Sequence, residues 1–248
     1  MKDPKCAVII PARYASTRFP GKPLALLAGK PMIRHVYEKA AASCAGLVAV
    51  ATDDRRIADA VEAFGGKAVM TSPSHPSGTD RIAEALGKLG GEYDLVVNVQ
   101  GDEPLIPTSV IDGLIDVMKS QPELPMATVA VPGSRETMTE NNVKVVFGSD
   151  GRALYFSRSM IPFLRRGGTE CGVWLHWGIY AYRRSALERF VSLPPGKLEN
   201  AEKLEQLRAL ENGIAIRVVT SNLQSVGVDT PEDLAAAEER LRQSAKNL

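Results

Sequence analysis

The stretch Cys6–Pro11, CAVIIP, and the loop after it, Arg13–Pro23, RYASTRFPGKP, decide the fold class of this 248-residue chain. Six consecutive residues without a charge are typical of a strand buried on both faces, as strands of parallel sheets are. A second such run, Leu47–Thr52, follows the segment Pro31–Ala42, whose apolar residues recur at helical spacing. Strand, helix and strand in this order predict a parallel βαβ unit.

The same alternation continues to about residue 120. Asp53 or Asp54 is suited to cap a helix that stops at Gly65-Gly66. Further strands are predicted at Lys67–Thr71 and Asp94–Val99, with a helical pattern after each of them. We therefore expect an α/β fold with a doubly wound, mostly parallel (mixed) sheet and helices on both of its faces.

After residue 125 the alternation gives way to strands in succession. An Asp-Gly turn at Ser149–Gly151 between two strand-like runs is a good hairpin signal. The predicted strands are Met126–Val131, Val143–Phe147, Ala153–Ser157, Trp174–Tyr182, Ile214–Thr220 and Ser225–Val228, and the helices are Ala201–Leu210 and Pro231–Arg242. We expect one domain over residues 1–248, with an antiparallel, β-rich insertion at roughly 125–185.

The composition excludes several classes of protein. The 30 Lys and Arg residues against 29 Asp and Glu leave a net charge of +1, which gives no support to a nucleic-acid partner. The longest uncharged apolar runs have the length of strands, so no insertion into a membrane is expected. Met1–Lys5 is too short and polar to begin a signal peptide. Together with three widely spaced cysteines, this indicates a cytoplasmic protein without a disulfide framework or a CxxC metal site.

The loop after the first strand is a candidate ligand site, because ligands of open α/β sheets bind beyond the carboxyl ends of the strands. Its single glycine, Gly21, excludes the GxGxxG dinucleotide fingerprint. A P-loop is excluded as well, since Ser16 and Pro23 stand where it needs a glycine and a hydroxyl residue. Three cations and two hydroxyls in the loop could hold a triphosphate; the alternative is a solvated surface loop. These residues are Arg13, Arg18, Lys22, Ser16 and Thr17.

Two aspartates are candidate metal ligands. Asp102 follows the strand Asp94–Val99, and Asp229 follows the strand predicted at Ser225–Val228. Carboxylates at strand ends that face phosphates suit Mg²⁺, which takes one or two carboxylates together with phosphate oxygens. The alternative for Asp229 is a helix cap, but Thr230 already fits the capping position and leaves Asp229 for another task.

The segment Ile9–Leu24, IIPARYASTRFPGKPL, resembles the signature loop of the sugar cytidylyltransferases, most closely the family that acts on 3-deoxy-manno-octulosonate (Kdo). CMP-sialic acid synthetases usually carry Gly-Gly where this chain has Tyr14-Ala15. The resemblance continues in order through nearly the whole chain. Its further segments are SGTDRI (Ser77–Ile82), VNVQGDEPLI (Val97–Ile106), ALYFSR (Ala153–Arg158), GIYAYR (Gly178–Arg183), LEQLRAL (Leu204–Leu210) and GVDTPEDL (Gly227–Leu234).

The resemblance implies a fold like that of the nucleotide-diphospho-sugar transferases and a nucleotidyltransferase activity. In the family reaction the anomeric hydroxyl of the sugar acid attacks the α-phosphorus of CTP and releases pyrophosphate. The residues that look catalytic are Arg13, Lys22 and Asp102, and those that look like Mg²⁺ ligands are Asp102 and Asp229. Those that look nucleotide-binding are Pro11, Ala12, Arg13, Ser16, Arg18, Lys22, Thr52, Ser77, Thr79, Arg81 and Gln100. Those that look sugar-binding are Arg158, His176, Tyr180, Glu205 and Gln206.

The resemblance also implies a homodimer, which we expect to form through the segment 125–185, and a role in bacterial lipopolysaccharide biosynthesis. Alternative substrates are 8-amino-8-deoxy-Kdo and sialic acid, and a capsular Kdo pathway is an alternative role. Outside the family, one alternative is a nicotinamide-dependent oxidoreductase, which the absence of a GxGxxG motif disfavours. Another is a non-catalytic interaction module, which would not explain why the charged residues Arg13, Arg18, Lys22, Asp102 and Asp229 follow strand ends. We interpret His75 as a surface residue, and Thr79 or Asp80 as a helix cap that also contacts the nucleotide.

Overall fold

A computed structural model describes residues 2–16, 18–169, 171–223 and 225–246, so the predicted loop hydroxyl of Thr17 lies outside the described residues. The chain forms two compact units, one from residues 1–115 and 224–248 and the other from residues 116–223. The segment 125–185 belongs to the second unit, and its role in a single domain and in dimerisation stays a prediction. Within the described ranges, no helix has both the length and the apolar character needed to cross a membrane.

The strands and helices follow one another in an order close to the predicted one. They are β1 (Asp3–Ala12), β2 (Leu26–Leu27), β3 (Lys30–Pro31), α1 (Met32–Ala42), β4 (Ala45–Thr52), α2 (Arg55–Ala63), β5 (Ala68–Met70), α3 (Gly78–Leu89), β6 (Leu95–Asn98), α4 (Thr108–Ser120), β7 (Met126–Gly133), β8 (Lys144–Phe147), β9 (Ala153–Ser157), β10 (Val173–Arg183), α5 (Arg184–Ser192), α6 (Lys197–Glu202), α7 (Gln206–Glu211), β11 (Ile216–Thr220) and α8 (Pro231–Lys246). The helix α5 has no counterpart among the predicted elements.

The first unit is built on parallel strands in the order β6-β1-β4-β5. The chain moves from β1 outward to β4 and β5, and then returns to β6 on the other side of β1. Because parallel crossovers are right-handed, this reversal puts helices on both faces of these strands. The predicted doubly wound α/β fold is confirmed.

The carboxyl ends of neighbouring strands meet at one edge of the first unit. Ala12 of β1 lies opposite Thr52 of β4, and β6 pairs with the other side of β1. In the loop after β6, a Cβ added to Gly101 would come within 2.8 Å of the carbonyl oxygen of Pro11. Glycine permits this close approach, which brings the next residue, Asp102, beside the first loop.

A small apolar core holds the first loop and the last helix of the first unit. Leu27 and Met32 are buried together with Val228 and with Ala237 of α8. Phe19 of the first loop packs against the same residues. Since Val228 immediately precedes the second candidate aspartate, this core anchors both the cationic loop and one of the carboxylates.

The second unit contains a mixed arrangement of strands. β10 is antiparallel to β7 and β8, β8 is antiparallel to β9, and β11 runs parallel to β7. The predicted hairpin around Ser149–Gly151 is confirmed, because that turn joins β8 to β9.

The continuous helix predicted at Ala201–Leu210 is wrong. Lys203 has a left-handed backbone with φ of 55°, which ends α6 and separates it from α7. The break allows Leu204 to be buried. It also lets Arg208 of α7 bind Glu199 of α6 with two hydrogen bonds, of 2.8 and 2.6 Å. A straight helix could not make this bidentate pair, since its residues nine positions apart are far apart along the axis.

Candidate active site

A cavity of about 350 Å³ opens in the first unit, at the ends of its strands. Among the described residues, Thr52 and Thr79 are the predicted nucleotide ligands that do not line it; both are buried, and Thr52 Oγ1 accepts a hydrogen bond from the N–H of Asp54 at 3.2 Å. The other predicted nucleotide and metal ligands meet there. The lining residues are Pro11, Ala12, Arg13, Ser16, Arg18, Lys22, Pro23, His75, Pro76, Ser77, Gly78, Arg81, Gln100, Gly101, Asp102 and Asp229.

Lys22 lies between the two candidate metal ligands. Its ammonium nitrogen is 2.8 Å from Oδ2 of Asp102 and 3.1 Å from Oδ1 of Asp229. Arg18 Nη2 lies 3.0 Å from the other oxygen of Asp229. The Lys22 side chain is only 12% exposed, so water screens its ion pairs less than it screens pairs on the surface. The two carboxylates thus share a cation that the chain itself supplies.

The carboxylate oxygens of Asp102 and Asp229 are suitable ligands for Mg²⁺. Oxygens of Asp102 and Asp229 converge on one positive charge, and hard oxygen donors are the ligands that Mg²⁺ prefers. Within the part of the chain that the structure describes, no group of three or more His, Cys, Asp and Glu side chains could hold a metal ion. Two carboxylates therefore fit Mg²⁺ when further oxygens, such as those of phosphates, complete its coordination.

Asp229 is positioned by residues on both of its sides. The strand predicted at Ser225–Val228 is wrong; instead of joining a sheet, the last N–H of that segment donates to the carbonyl of Asp102 at 2.8 Å. After Asp229, the Thr230 hydroxyl accepts from the N–H of Asp233 at 3.2 Å, and the Asp233 carboxylate accepts from the N–H groups of Thr230 and Asp229. This capping box confirms that the carboxylate of Asp229 is not needed for capping.

Arg81 is fixed in the wall of the cavity by hydrogen bonds in the first unit. Its guanidinium donates to Thr71 Oγ1 at 2.6 Å and pairs with Asp53 at 2.8 Å, and the side chain is almost fully buried. A buried, planar guanidinium with both ends tied is preorganised, so it presents its remaining surface to the cavity at little entropic cost.

Two wall residues differ from their predicted roles. Ser77, rather than Thr79 or Asp80, caps α3, because the helix begins earlier than expected and Ser77 Oγ accepts from the N–H of Asp80 at 3.2 Å. His75, which we interpreted as a surface residue, is partly buried with its side chain 20% exposed; it lines the cavity, and its ring bonds to the carboxylate of Glu84. Hydrogen bonds from Lys88, from the backbone and from His75 lower the pKa of Glu84 to about 2. The residue type alone gave no signal for His75; the available signal was its position two residues before the SGTDRI motif.

His176, on β10 of the second unit, has a neutral imidazole ring at pH 7. Its ring packs against Phe156 and Tyr180, and burial lowers its pKa to about 3, so the ring is neutral at pH 7. Nε2 lies 3.0 Å from Thr128 Oγ1, whose hydroxyl donates to the carbonyl of Ile179 at 2.8 Å. The shorter contact, to the carbonyl of Ile179, assigns the single hydroxyl proton of Thr128 to that carbonyl, and with this assignment Nε2 of His176 is the donor to Thr128. The other ring nitrogen, Nδ1, is then a hydrogen-bond acceptor.

The other predicted sugar ligands also lie in the second unit. Tyr180 is buried, and burial together with Tyr182 and Glu205 raises its pKa. Gln206 is buried in the first turn of α7, directly after Glu205. The structure thus brings the β10 aromatic residues close to the start of α7.

Arg158 is engaged with backbone oxygens. Its Nε donates to the carbonyl of Glu202 at 2.8 Å, and its Nη1 donates to the carbonyl of Glu140 at 3.1 Å. The Glu202 carboxylate in turn accepts from the N–H of Arg158 at 2.9 Å and from the Ser157 hydroxyl at 2.6 Å. The guanidinium is therefore held in one orientation, and its role toward a sugar carboxylate stays a prediction.

Known proteins resemble this chain along almost its full length. Residues 7–216 match the model of a protein family described as Cytidylyltransferase. The chain is 54% identical over 243 residues to a 3-deoxy-manno-octulosonate cytidylyltransferase of Syntrophobacter fumaroxidans, covering 96% of this chain and 97% of the relative. It is 53% identical over 240 residues to an 8-amino-3,8-dideoxy-manno-octulosonate cytidylyltransferase of Shewanella sediminis, covering 94% and 97%. A solved structure of CMP:2-keto-3-deoxy-manno-octonic acid synthetase complexed with CTP has a TM-score of 0.91 at 45% identity, covering 97% of this chain and 99% of that one.

Proposed function

Because the chain belongs to the cytidylyltransferase family, we propose that it transfers the cytidylyl group of CTP to Kdo, giving CMP-Kdo and pyrophosphate. The observation that carries this proposal is the set of opposite charges around one cavity. Arg13, Arg18 and Lys22 suit the negative charge of a triphosphate, while Asp102 and Asp229 suit its metal ion.

In this reaction the anomeric hydroxyl of the sugar acid loses its proton to solvent, and its oxygen forms a bond to the α-phosphorus. The bond from the α-phosphorus to the oxygen that bridges to the β-phosphate breaks, and pyrophosphate leaves with the electron pair. Positioning and charge stabilisation contribute most to such a reaction. Arg13 and Lys22 would neutralise the charge that develops on the leaving pyrophosphate.

Asp102 and Asp229 would hold Mg²⁺ together with oxygens of the nucleotide. When bound there, Mg²⁺ supplies charge stabilisation at the phosphates and lowers the pKa of a hydroxyl that it binds. The chain contributes the placement of the two carboxylates, through the close approach of Gly101 to Pro11 and through the cap at Thr230.

The nucleoside would be recognised by Ser77, Arg81 and Gln100, which line the same cavity. Preorganised hydrogen-bonding groups reject a base with the wrong donor and acceptor pattern, since the mismatch leaves buried polar groups unpaired. In the second unit, Arg158, His176, Tyr180, Glu205 and Gln206 would bind the sugar acid. The acceptor Nδ1 of His176 suits a sugar hydroxyl, which can donate to it.

The finer assignments are part of the same proposal. We expect a cytoplasmic homodimer that dimerises through the second unit and whose product serves lipopolysaccharide biosynthesis. Dimers with two-fold symmetry are the commonest closed assemblies.

A pyrophosphate-release assay tests the activity. With CTP and Mg²⁺ fixed, we expect turnover with Kdo to exceed that with 8-amino-8-deoxy-Kdo and with sialic acid; with Kdo fixed, we expect CTP to be preferred to UTP. A matched thermal-shift series should show stabilisation by CTP with Mg²⁺, since a ligand that binds only the folded state raises its stability. Preference for another sugar acid would refute the Kdo assignment, and no stabilisation by CTP would refute the nucleotide site.

A further inference from the structure

Tyr14 contacts Gly21 across the first loop through both its backbone and its ring. Its carbonyl accepts a hydrogen bond from the N–H of Gly21 at 2.9 Å. Its ring lies so close to Gly21 that an added Cβ would come within 3.1 Å of both Cζ and Oη. Gly21 also has φ of +71°, a conformation that other residues rarely adopt. The left-handed backbone favours glycine at position 21, and the absence of a side chain there lets the Tyr14 ring lie directly against it.

The same ring binds a cation from outside the loop. The guanidinium carbon of Arg56 lies 3.3 Å from the centroid of the Tyr14 ring, within the range of a cation–π interaction. Arg56 donates from Nε and Nη2 to the carboxylate of Asp54 at 2.9 and 2.7 Å, and these hydrogen bonds hold the pKa of Asp54 below its usual value. Since Asp54 caps α2, the guanidinium is tied to a regular element.

We call the contacts of Tyr14 with Gly21 and Arg56 the clamp. Gly21 directly precedes Lys22, so the clamp lies next to the lysine that reaches the two carboxylates. We propose that Tyr14 is a positioning residue: by binding Arg56 and covering Gly21, it keeps the first loop closed and the Lys22 ammonium in the cavity before the nucleotide binds. The inference rests on the proposed function in that this loop receives the triphosphate. A loop that is already ordered loses less conformational entropy when its ligand arrives, so the clamp should act on CTP affinity.

Four variants test the clamp. Tyr14→Ala removes the ring, Tyr14→Phe keeps it, and Arg56→Met removes the cation. Arg55→Met is the matched control, because Arg55 is as exposed as Arg56 but pairs with Asp59 and Glu62. The measurements are CTP affinity by calorimetry, KM for CTP and for Kdo, the melting temperature, and the rate of tryptic cleavage after Arg18 without nucleotide.

We expect Tyr14→Ala to weaken CTP binding about tenfold, the size of a lost cation–π contact plus lost loop order. Cleavage after Arg18 should become faster, while KM for Kdo and the melting temperature stay unchanged. Tyr14→Phe should remain within about twofold of the wild type, Arg56→Met should fall between Phe and Ala, and Arg55→Met should match the wild type, as expected for a ring-dependent cation–π contact.

The proposal would be refuted if Tyr14→Phe bound CTP as weakly as Tyr14→Ala does. It would also be refuted if Tyr14→Ala left both the CTP affinity and the rate of cleavage after Arg18 unchanged. It would also be overturned if both KM values rose together with a fall in melting temperature, since that marks a role in the fold. Calorimetry and proteolysis need no turnover. A wild-type protein that binds CTP but forms no CMP-Kdo would therefore contradict the proposed function and leave the clamp testable.

Discussion

Lys22 and Asp102 form an ion pair inside the cavity, with 2.8 Å between Nζ and Oδ2. The same ammonium lies 3.1 Å from Asp229, so it stands between two carboxylates that would otherwise repel each other, and Arg18 pairs with the other oxygen of Asp229. A divalent cation bound by these oxygens would compete with the ammonium, whereas a triphosphate would offer the ammonium a new partner. We therefore expect nucleotide and metal to bind together more tightly than either binds alone.

Removal of this ammonium should change metal binding in the absence of nucleotide. We expect Lys22→Ala to bind Mn²⁺, used as a spectroscopic probe for Mg²⁺, about tenfold more tightly than the wild type, because the carboxylates lose their competing cation. The measurement is the electron paramagnetic resonance signal of free Mn²⁺. Lys30→Ala, at an exposed lysine paired with Glu38, is the control and should bind as the wild type does. Unchanged or weaker binding by Lys22→Ala would show that the lysine does not compete.

The same substitution should lower turnover by roughly two to three powers of ten, as the loss of one preorganised charge at a developing anion does. The melting temperature should change little, since a loop lysine contributes little packing. Steady-state kinetics with Kdo and CTP, compared with Lys30→Ala, measure the effect. Near-normal turnover would mean that Lys22 serves only the loop.

If Asp102 and Asp229 hold the same Mg²⁺, Asp102→Asn and Asp229→Asn should each raise the Mg²⁺ concentration needed for half-maximal rate and lower turnover. The double variant should lose little more than the worse single one, because ligands of one ion act as a unit. Asp59→Asn, at an exposed aspartate of α2 that pairs with Arg55, is the control. Additive losses with unaltered Mg²⁺ dependence would contradict a shared ion.

His176 should make the protein less stable in acid. Its pKa is about 3 in the folded state, against an ordinary value of 6.5, so below 6.5 the unfolded chain takes up a proton that the folded chain does not. Its contribution to the free energy of unfolding therefore falls as pH decreases from 6.5 toward 3, by at most about 1.4 kcal/mol per pH unit. His176→Gln keeps a donor for Thr128 and should flatten this dependence in urea titrations at several pH values. Parallel profiles for the two proteins would contradict the assignment.

The proposed dimer predicts an effect at β9. In the described part of the chain this strand forms a ladder with β8 alone, and its Leu154 is 65% exposed. Exposed apolar residues on an unpaired strand edge favour association with another chain. We expect light scattering to give a dimer mass for the wild type and a monomer mass for Leu154→Glu. Leu26→Glu, at a leucine of the first unit with 64% exposure, should remain dimeric. A wild-type monomer at micromolar concentration would refute the dimer.

The sequence predicted the parts of the site that depend on where strands end. Lys22 and Asp102 could be placed near one another because each follows a buried strand, and carboxyl ends of parallel strands share an edge. Thr52 was predicted as a nucleotide ligand from the family resemblance alone. It is buried, and its hydroxyl accepts from the N–H of Asp54, an arrangement that strand order does not predict.

Two other features, the position of His75 and the helix break at Lys203, could not be predicted from sequence patterns. A lone His75 carries no periodic signal, and its place in the cavity wall depends on a hydrogen bond to Glu84, nine residues further along the chain. The break at Lys203 overrides a good helical pattern, because the pair of Arg208 with Glu199 and the burial of Leu204 outweigh the cost of a left-handed residue. Tertiary contacts decided both outcomes.

Gly101 makes one position of the molecule intolerant of mutation although it has no side chain to contribute. The carbonyl of Pro11 that it approaches belongs to β1, where Pro11 pairs with Ala51 of β4. Even the methyl group of alanine would push the loop rather than the strand, and would displace Asp102 with it. In a library with all amino acids at residue 101, we expect only glycine to survive selection for activity. The intolerance of this position would then result from the need to keep the carboxylate of Asp102 in place.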